Sequence, residues 1–218
     1  SVSTDLPKVM LPVAGQPFLA HGLAALAASG FQRVILAVGY RRDQIRRHFG
    51  DSFAGMELVY SEEAEPRGTG GATRQALQRA EAEDVFVMNG DTFVEIDHSA
   101  MMYQHRREKG PVSITVVAVP NVSRFGAVEV SNNRVIAFRE KGQAGPGLIN
   151  AGTYVLRRSL LDQFADDRAF SLEAEFLVPE VARLRPLAWR SAGRFIDIGV
   201  PEDYEASALL LAPDRNAP

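Results

Sequence analysis

Between residues 33 and 91 short apolar, β-branched runs alternate with helix-forming stretches, and this alternation restricts the fold more than any other feature of the chain. The run Arg33-Val34-Ile35-Leu36-Ala37-Val38, closed by Gly39, reads as a strand buried on both faces. Residues 42–49 predict a short helix stopped by Gly50, residues 56–60 a second strand, residues 72–80 a helix, and Val85-Phe86-Val87-Met88 a third buried strand. Upstream, Pro17 sits where a first helical residue tolerates a lost N–H, and residues 18–29 are rich in Ala and Leu up to Gly30. Strands and helices at this spacing imply βαβ units with right-handed crossovers, hence parallel pairing. After Met101 the pattern turns more antiparallel: a helix over 101–109, strands at 112–119, 127–130, 135–138 and 148–156, with Ser131-Asn132-Asn133 as a turn. Helices at 158–164 and 172–178, strands at 187–190 and 194–198, and a last helix opened by Pro201 and stopped by Pro213 complete the reading. The sum is one domain with a mixed sheet, its parallel part offering ligand positions at the carboxyl ends of strands.

Composition narrows the function. The 218 residues carry 24 Lys plus Arg against 27 Asp plus Glu, a net charge of −3 that gives no broad field for nucleic acid or an anionic membrane. Cysteine is absent, which excludes disulfides, thiolate metal sites and a cysteine nucleophile, and the four His have no ligand-like spacing. No apolar run approaches the roughly 20 residues that span a bilayer, and no signal-like start is seen, so a cytoplasmic protein is expected. The polar opening Ser1-Val2-Ser3-Thr4-Asp5-Leu6-Pro7 is an odd beginning for an α/β domain, whose first element is normally a buried strand.

Several residues could carry chemistry. Asn89-Gly90-Asp91 follows a buried strand directly and so lies at the carboxyl edge of the sheet, a metal or ribose position; a turn-capping Asp is the alternative. Asp197, between Ile196 and Ile198, needs a partner or a metal unless it faces solvent on an alternating strand. Lys8 stands between Pro7 and Pro12, which stiffen its segment; such a cation suits charge developing on a transferred phosphoryl group, and equally suits a surface loop. Gly68-Thr69-Gly70-Gly71 precedes a helix and could let backbone approach an anionic ligand, or could be only a turn. Glu140-Lys141 ends a strand beside a Gly- and Pro-rich loop, where Lys141 could neutralise a second phosphate or stand as an exposed charge. Asn150-Ala151-Gly152 pairs an amide with small residues, as a hydroxyl-rich ligand or a β-bulge would require. No Ser-His-Asp or Cys-His set suggests a covalent acyl mechanism.

Taken in order, Leu6-Pro7-Lys8-Val9-Met10, Pro66-Arg67-Gly68-Thr69-Gly70-Gly71-Ala72, Asn89-Gly90-Asp91-Thr92-Phe93, Phe138-Arg139-Glu140-Lys141, Leu148 through Tyr154, and Phe195-Ile196-Asp197-Ile198-Gly199-Val200-Pro201-Glu202-Asp203-Tyr204 resemble the sugar-phosphate nucleotidyltransferase family over nearly the whole chain. Within that family the Gly-Thr-Gly-Gly-Ala and Ile-Asp-Ile-Gly-Val-Pro-Glu-Asp-Tyr segments are most similar to the bacterial D-glycero-α-D-manno-heptose 1-phosphate guanylyltransferase branch. The resemblance implies a Rossmann-like α/β/α sandwich with a mixed, mostly parallel central sheet, a single nucleotidyltransferase domain over residues 1–218, and an apolar first strand with a Gly-Gly-x-Gly-Thr-Arg-Leu loop upstream of Ser1. It implies in-line attack of a sugar 1-phosphate on a nucleoside triphosphate, with GTP and the heptose phosphate giving GDP-heptose for surface glycan synthesis. Asp91 and Asp197 would hold Mg²⁺ and Lys8 would contact phosphate. Gly68, Thr69 and Gly70, with Asn89 and Gly90, would line the nucleotide site. Glu140 would hold sugar hydroxyls, Lys141 the sugar phosphate, and Asn150 with Gly152 the sugar ring. Mannose, glucose or N-acetylmuramic acid 1-phosphate are rival sugars, a non-catalytic nucleotide-sugar sensing subunit is a rival role, and a homo-oligomer is left open.

Overall fold

In the computed structural model, which describes residues 6–199 and 201–211, strand Arg33–Val38 pairs in parallel with Met56–Glu62, register Val34 with Leu58, as the βαβ pattern requires. The polar opening 1–5, Val200 and the helix-stopping Pro213 lie outside the described residues. A short strand Ser52–Phe53 pairs antiparallel with Met56–Glu62 and completes a three-stranded sheet. Helices Phe18–Ala28 and Arg42–Phe49 cover this sheet, burying Leu23, Leu26, Ile45 and Phe49 against Val38, Met56 and Leu58. Each helix ends at a glycine of positive φ, Gly30 at 82° and Gly50 at 63°, the left-handed exit that other residues reach at a cost.

The second sheet corrects the sequence reading. Its six strands run in the order Asp84–Met88, Gly147–Arg157, Val112–Val119, Leu187–Ser191, Arg134–Phe138, Val128–Ser131. Of the neighbouring pairs only Val112–Val119 with Leu187–Ser191 is parallel; all the others are antiparallel. The central sheet is therefore mostly antiparallel, not mostly parallel. The physical reason is Gly147–Arg157: this long strand returns beside Val112–Val119 and inserts between it and Asp84–Met88, antiparallel to both. At the sheet's edge, Asn132 and Asn133 take positive φ (48° and 56°), a tight hairpin turn whose backbone twist suits antiparallel strands. One face of the sheet packs Ile114, Val116, Tyr154 and Leu156 against Leu77, Phe170 and Phe176.

Between the two sheets lies an apolar cavity of about 1210 Å³. Arg33–Val38 on one side and Asp84–Met88 on the other each present an edge that no described strand pairs. Both were expected to be buried on both faces; most of their residues are only half-buried, because they open onto this slot. His98 stands at the slot wall between the rings of Phe31 and Phe86, edge-on to each at 5.3 Å. Its Nδ1 shares a 2.9 Å hydrogen bond with Ser29 Oγ, while its buried Nε2 has no partner among the described residues.

Candidate active site

The last residue of Asp84–Met88 delivers Asn89, Gly90 and Asp91 at the strand's carboxyl end, where open α/β sheets place ligands. Three short contacts fix this turn. The amide of Asn89 donates to Gly152 O at 2.9 Å, and the amide of Ile198 donates to Asp91 O at 3.1 Å. A β-carbon on Gly90 would lie 3.2 Å from Val9, so the Lys8–Met10 turn is seated directly against it. That turn carries Lys8, whose Nζ donates to Asp91 Oδ2 at 2.8 Å, with both side chains part-exposed.

Asp197 joins them from the far end of the chain. Strand Phe195–Asp197 pairs antiparallel with Thr92–Val94, with Asp197 opposite Thr92, one residue from Asp91. Asp197 Oδ1 accepts the amide of Gly199 at 2.7 Å, and a β-carbon at residue 199 would sit 2.7 Å from the same oxygen, so glycine there lets the carboxylate keep its orientation. This strand pair is clamped one residue beyond by Glu95, whose Oε2 accepts from Arg194 Nε at 3.1 Å; that guanidinium holds the Glu95 carboxyl below the usual carboxylate range. Phe125 packs edge-on to Phe195 at 5.8 Å, and Arg124, stacked 4.3 Å over Phe125, is ion-paired to Asp203 on the helix Pro201–Leu210. Tyr204 Oη reaches Pro12 O at 2.7 Å, so the final helix also braces the segment that follows Lys8.

The glycine-rich segment differs from expectation. The helix begins at Gly68 and not at Ala72, so Gly68-Thr69-Gly70-Gly71 form its first turn. These glycines answer a packing demand: a β-carbon on Gly68 would lie 2.6 Å from Phe170 O, on Gly70 2.2 Å from the Phe170 ring, and on Gly71 2.8 Å from Arg168 O. Gly68 and Thr69 remain exposed, and Gly70 is buried. Thr69 Oγ1 accepts the amide of Leu172 at 3.0 Å, which ties this helix start to the turn Leu172–Leu177, far along the chain.

Strand Gly147–Arg157 shifts register between Asn150 and Tyr154, the bulge that the Asn-Ala-Gly sequence allowed. Gly152 takes φ +71° inside it, with Asn89 Nδ2 and Thr92 Oγ1 at 2.6 and 3.0 Å from where a β-carbon would stand. Asn150 commits both amide hydrogens to the protein: Nδ2 donates to Tyr154 Oη at 2.9 Å and to Glu173 Oε1 at 2.6 Å, while Oδ1 accepts Gly152 N at 3.0 Å. Glu173 escaped the sequence reading. Its only signal there was an acidic residue after Ser171, shared with Glu175.

Glu140 and Lys141 stand apart. Both are exposed, and among the described residues no hydrogen bond or ion pair links either side chain to the rest of the set. Their loop is nonetheless anchored, since Arg139 N donates to Ala127 O at 2.7 Å and Gly142 N to Ser123 O at 2.7 Å. Gly126 allows this approach: a β-carbon there would be 2.5 Å from Arg139 O.

Among the described residues no three His, Asp or Glu gather as a ready metal cage. The available donor set is the pair Asp91 and Asp197, hard oxygens that suit a divalent ion completed by substrate phosphates. An ammonium already sits on Asp91 Oδ2, which marks that carboxylate as a cation position. No helix among the described residues is long and apolar enough to cross a membrane.

A strand-end aspartate, a lysine bonded to it and a second aspartate returned on the neighbouring strand match the order of motifs read from the sequence, and a family model described as "Nucleotidyl transferase" matches residues 1–209. The chain belongs to the nucleotidyl transferase family. Among similar nucleotidyl transferases, the D-glycero-alpha-D-manno-heptose 1-phosphate guanylyltransferase of Aneurinibacillus thermoaerophilus is 36% identical over 204 residues, covering 94% of this chain and 89% of its own. The protein of the same name from Campylobacter jejuni is 38% identical over 205 residues, covering 94% and 90%. A crystal structure of HddC from Yersinia pseudotuberculosis complexed with GMP-PN superposes with a TM-score of 0.85 at 34% identity, over 96% of this nucleotidyl transferase and 92% of that chain.

Proposed function

We propose that this nucleotidyl transferase joins GTP to D-glycero-α-D-manno-heptose 1-phosphate, giving GDP-heptose for surface glycan synthesis and releasing pyrophosphate. The observation that carries the reading is the Lys8–Asp91 bond together with Asp197 paired opposite Thr92, one residue from Asp91. The choice of substrates rests on the two heptose guanylyltransferases to which the chain is 36% and 38% identical.

An oxygen of the sugar phosphate attacks the α-phosphorus of GTP as the bond from that phosphorus to the oxygen bridging the β-phosphate breaks, and pyrophosphate leaves. Two anions must meet, so the protein supplies alignment and positive charge in place of a nucleophile. Lys8, held by Pro7 and the turn against Gly90, presents its ammonium to the phosphates. Asp91 and Asp197 would hold Mg²⁺, which when bound neutralises charge on the triphosphate. Gly68, Thr69 and Gly70, with Asn89 and Gly90, line the base and ribose site. Lys141 neutralises the sugar phosphate from its exposed loop, Glu140 takes sugar hydroxyls, and Asn150 and Gly152 shape the place of the sugar ring.

The same proposal assigns the slot between the sheets to a further strand of this one domain. Its two facing edges carry unpaired backbone groups and apolar side chains, which an extended apolar segment satisfies in one step. The glycine loop expected after that strand would then emerge beside Lys8 and Asp91.

Pyrophosphate release from GTP and heptose 1-phosphate tests the reading. Turnover should require Mg²⁺ and should disappear in Asp91→Ala and Asp197→Ala while both variants keep the parent circular dichroism. Near-normal turnover in either variant removes that residue from the metal site.

A further inference from the structure

We infer that Glu173 is a sugar-recognition residue of this site, its carboxylate accepting hydrogen bonds from hydroxyls of the sugar 1-phosphate, and that Asn150 is the positioning residue that aims it. The inference rests on the proposed reaction and adds a contact outside the six motifs quoted above.

Geometry carries it. Glu173 lies on Leu172–Leu177, a π-helical turn, a rare wide winding often found at functional sites. The turn is anchored at both ends of the candidate site: Leu172 N donates to Thr69 Oγ1 on the nucleotide side, and Glu173 Oε1 accepts from Asn150 Nδ2 at 2.6 Å on the sugar side. Through Asn150 the carboxylate is connected to Gly152, whose carbonyl accepts the amide of Asn89, two residues from Asp91. Glu173 therefore spans the gap between the nucleotide-side helix and the strand edge bearing the reactive set.

The neighbouring acid is otherwise employed. Glu175 Oε1 accepts the amide of Ser171 at 2.8 Å while Ser171 Oγ accepts the amide of Ala174 at 3.1 Å, a reciprocal cap that fixes the start of the turn. Glu173 takes no part in that cap and is exposed, yet among the described residues it is held by one short bond to a residue whose other amide hydrogen is already committed. Asn150 has both amide hydrogens committed to protein, so it has no donor left for a sugar, and its carbonyl already accepts the amide of Gly152. The second carboxylate oxygen of Glu173, which has no partner among the described residues, is the fuller acceptor. Burial, and then the charge of Glu173, hold the phenol of Tyr154 well above its usual range, so Tyr154 stays a neutral wall beneath the pair.

Vicinal sugar hydroxyls are donors that pair well with a carboxylate, and such charge-assisted bonds are the stronger kind. The test is steady-state kinetics of Glu173→Gln, which keeps an oxygen for Asn150 and removes the charge. It is run with whichever sugar 1-phosphate the parent turns over. The expected result is a rise of about 10- to 100-fold in KM for the sugar phosphate, with KM for GTP within about twofold and the melting temperature unchanged. A set of monodeoxy sugar 1-phosphates adds a readout that a structural role would not move: with one of them parent and variant should become equal. Asn150→Ala should show the same selective loss, adding little in the Glu173→Gln background. Equal rises in both KM values, an unchanged sugar KM, or a constant gap across all deoxy sugars overturns the inference while leaving the reaction intact. Absence of turnover by the parent with every sugar phosphate would instead remove the proposed reaction, and this inference with it.

Discussion

Replacing Gly152 by alanine tests how the site is held. Gly152 has φ +71°, where an L-residue costs about 1–2 kcal/mol. The new methyl would stand 2.6 Å from Asn89 Nδ2 and 3.0 Å from both Asn89 Cγ and Thr92 Oγ1. The Asn89 amide can swing, but its Cγ is too close to the backbone to clear the methyl freely, so overpacking adds about 1–3 kcal/mol. Together the loss is about 2–5 kcal/mol, which urea unfolding should report as a lower midpoint at constant slope. Activity should fall further than stability explains, because Asn89 N hydrogen-bonds Gly152 O and leads directly to Asp91. A displacement of about 1 Å at Asp91 costs on the order of 10²-fold in turnover. Asn89→Ala in the Gly152→Ala background should restore the share of the steric cost due to Asn89 and leave the dihedral part and the Thr92 contact. A Gly152→Ala protein within about 0.5 kcal/mol of the parent, or with unchanged kcat, would refute this account of the bulge.

Two other outcomes follow from the same structure. Asp197→Asn should keep the Gly199 amide bond and the fold yet lose about 10²- to 10⁴-fold in kcat at saturating Mg²⁺, and retention of parent kcat would show that its charge is not used. The second concerns pH. Burial is the largest cause holding His98 and His105 below the ordinary histidine pKa, so both favour the neutral form in the folded chain. The unfolded chain then binds more protons below the ordinary value. Stability is full above it and lost as pH falls through the depressed folded value. His98→Phe keeps the ring between Phe31 and Phe86, and unfolding midpoints measured from pH 8 to pH 5 should fall less steeply than in the parent. A slope equal to the parent's would show that His98 does not contribute to the acid loss.

Local elements were legible where local chemistry decides them. The helices after Pro17 and before Gly50, the strand Arg33–Val38 and the Asn132-Asn133 turn all follow from capping, β-branching and left-handed turn residues. Strand direction in the large sheet was not. It depends on Gly147–Arg157 inserting between two earlier strands, a long-range pairing that alternation of strands and helices does not encode. The site divides the same way. Asp91 could be placed from its strand, whereas its pairing with Asp197 came only from the ordered motifs and is made physically by Thr92–Val94 and Phe195–Asp197. The glycines at 68–71 show a different limit, since the close helix contact that they make is with Phe170, a partner remote in sequence. Glu173 was hidden because nothing local separates it from Glu175. Only the bond to Asn150 does.

The most direct measurement is pyrophosphate release with purified protein and Mg²⁺, crossing GTP, ATP, UTP and dTTP with the 1-phosphates of D-glycero-α-D-manno-heptose, mannose, glucose and N-acetylmuramic acid. Turnover should be greatest for GTP with the heptose phosphate and should vanish on chelation of the metal. Greater turnover with another sugar or base would contradict the assigned substrates, and binding of nucleotide sugars with no turnover for any pair would contradict catalysis and favour a sensing role.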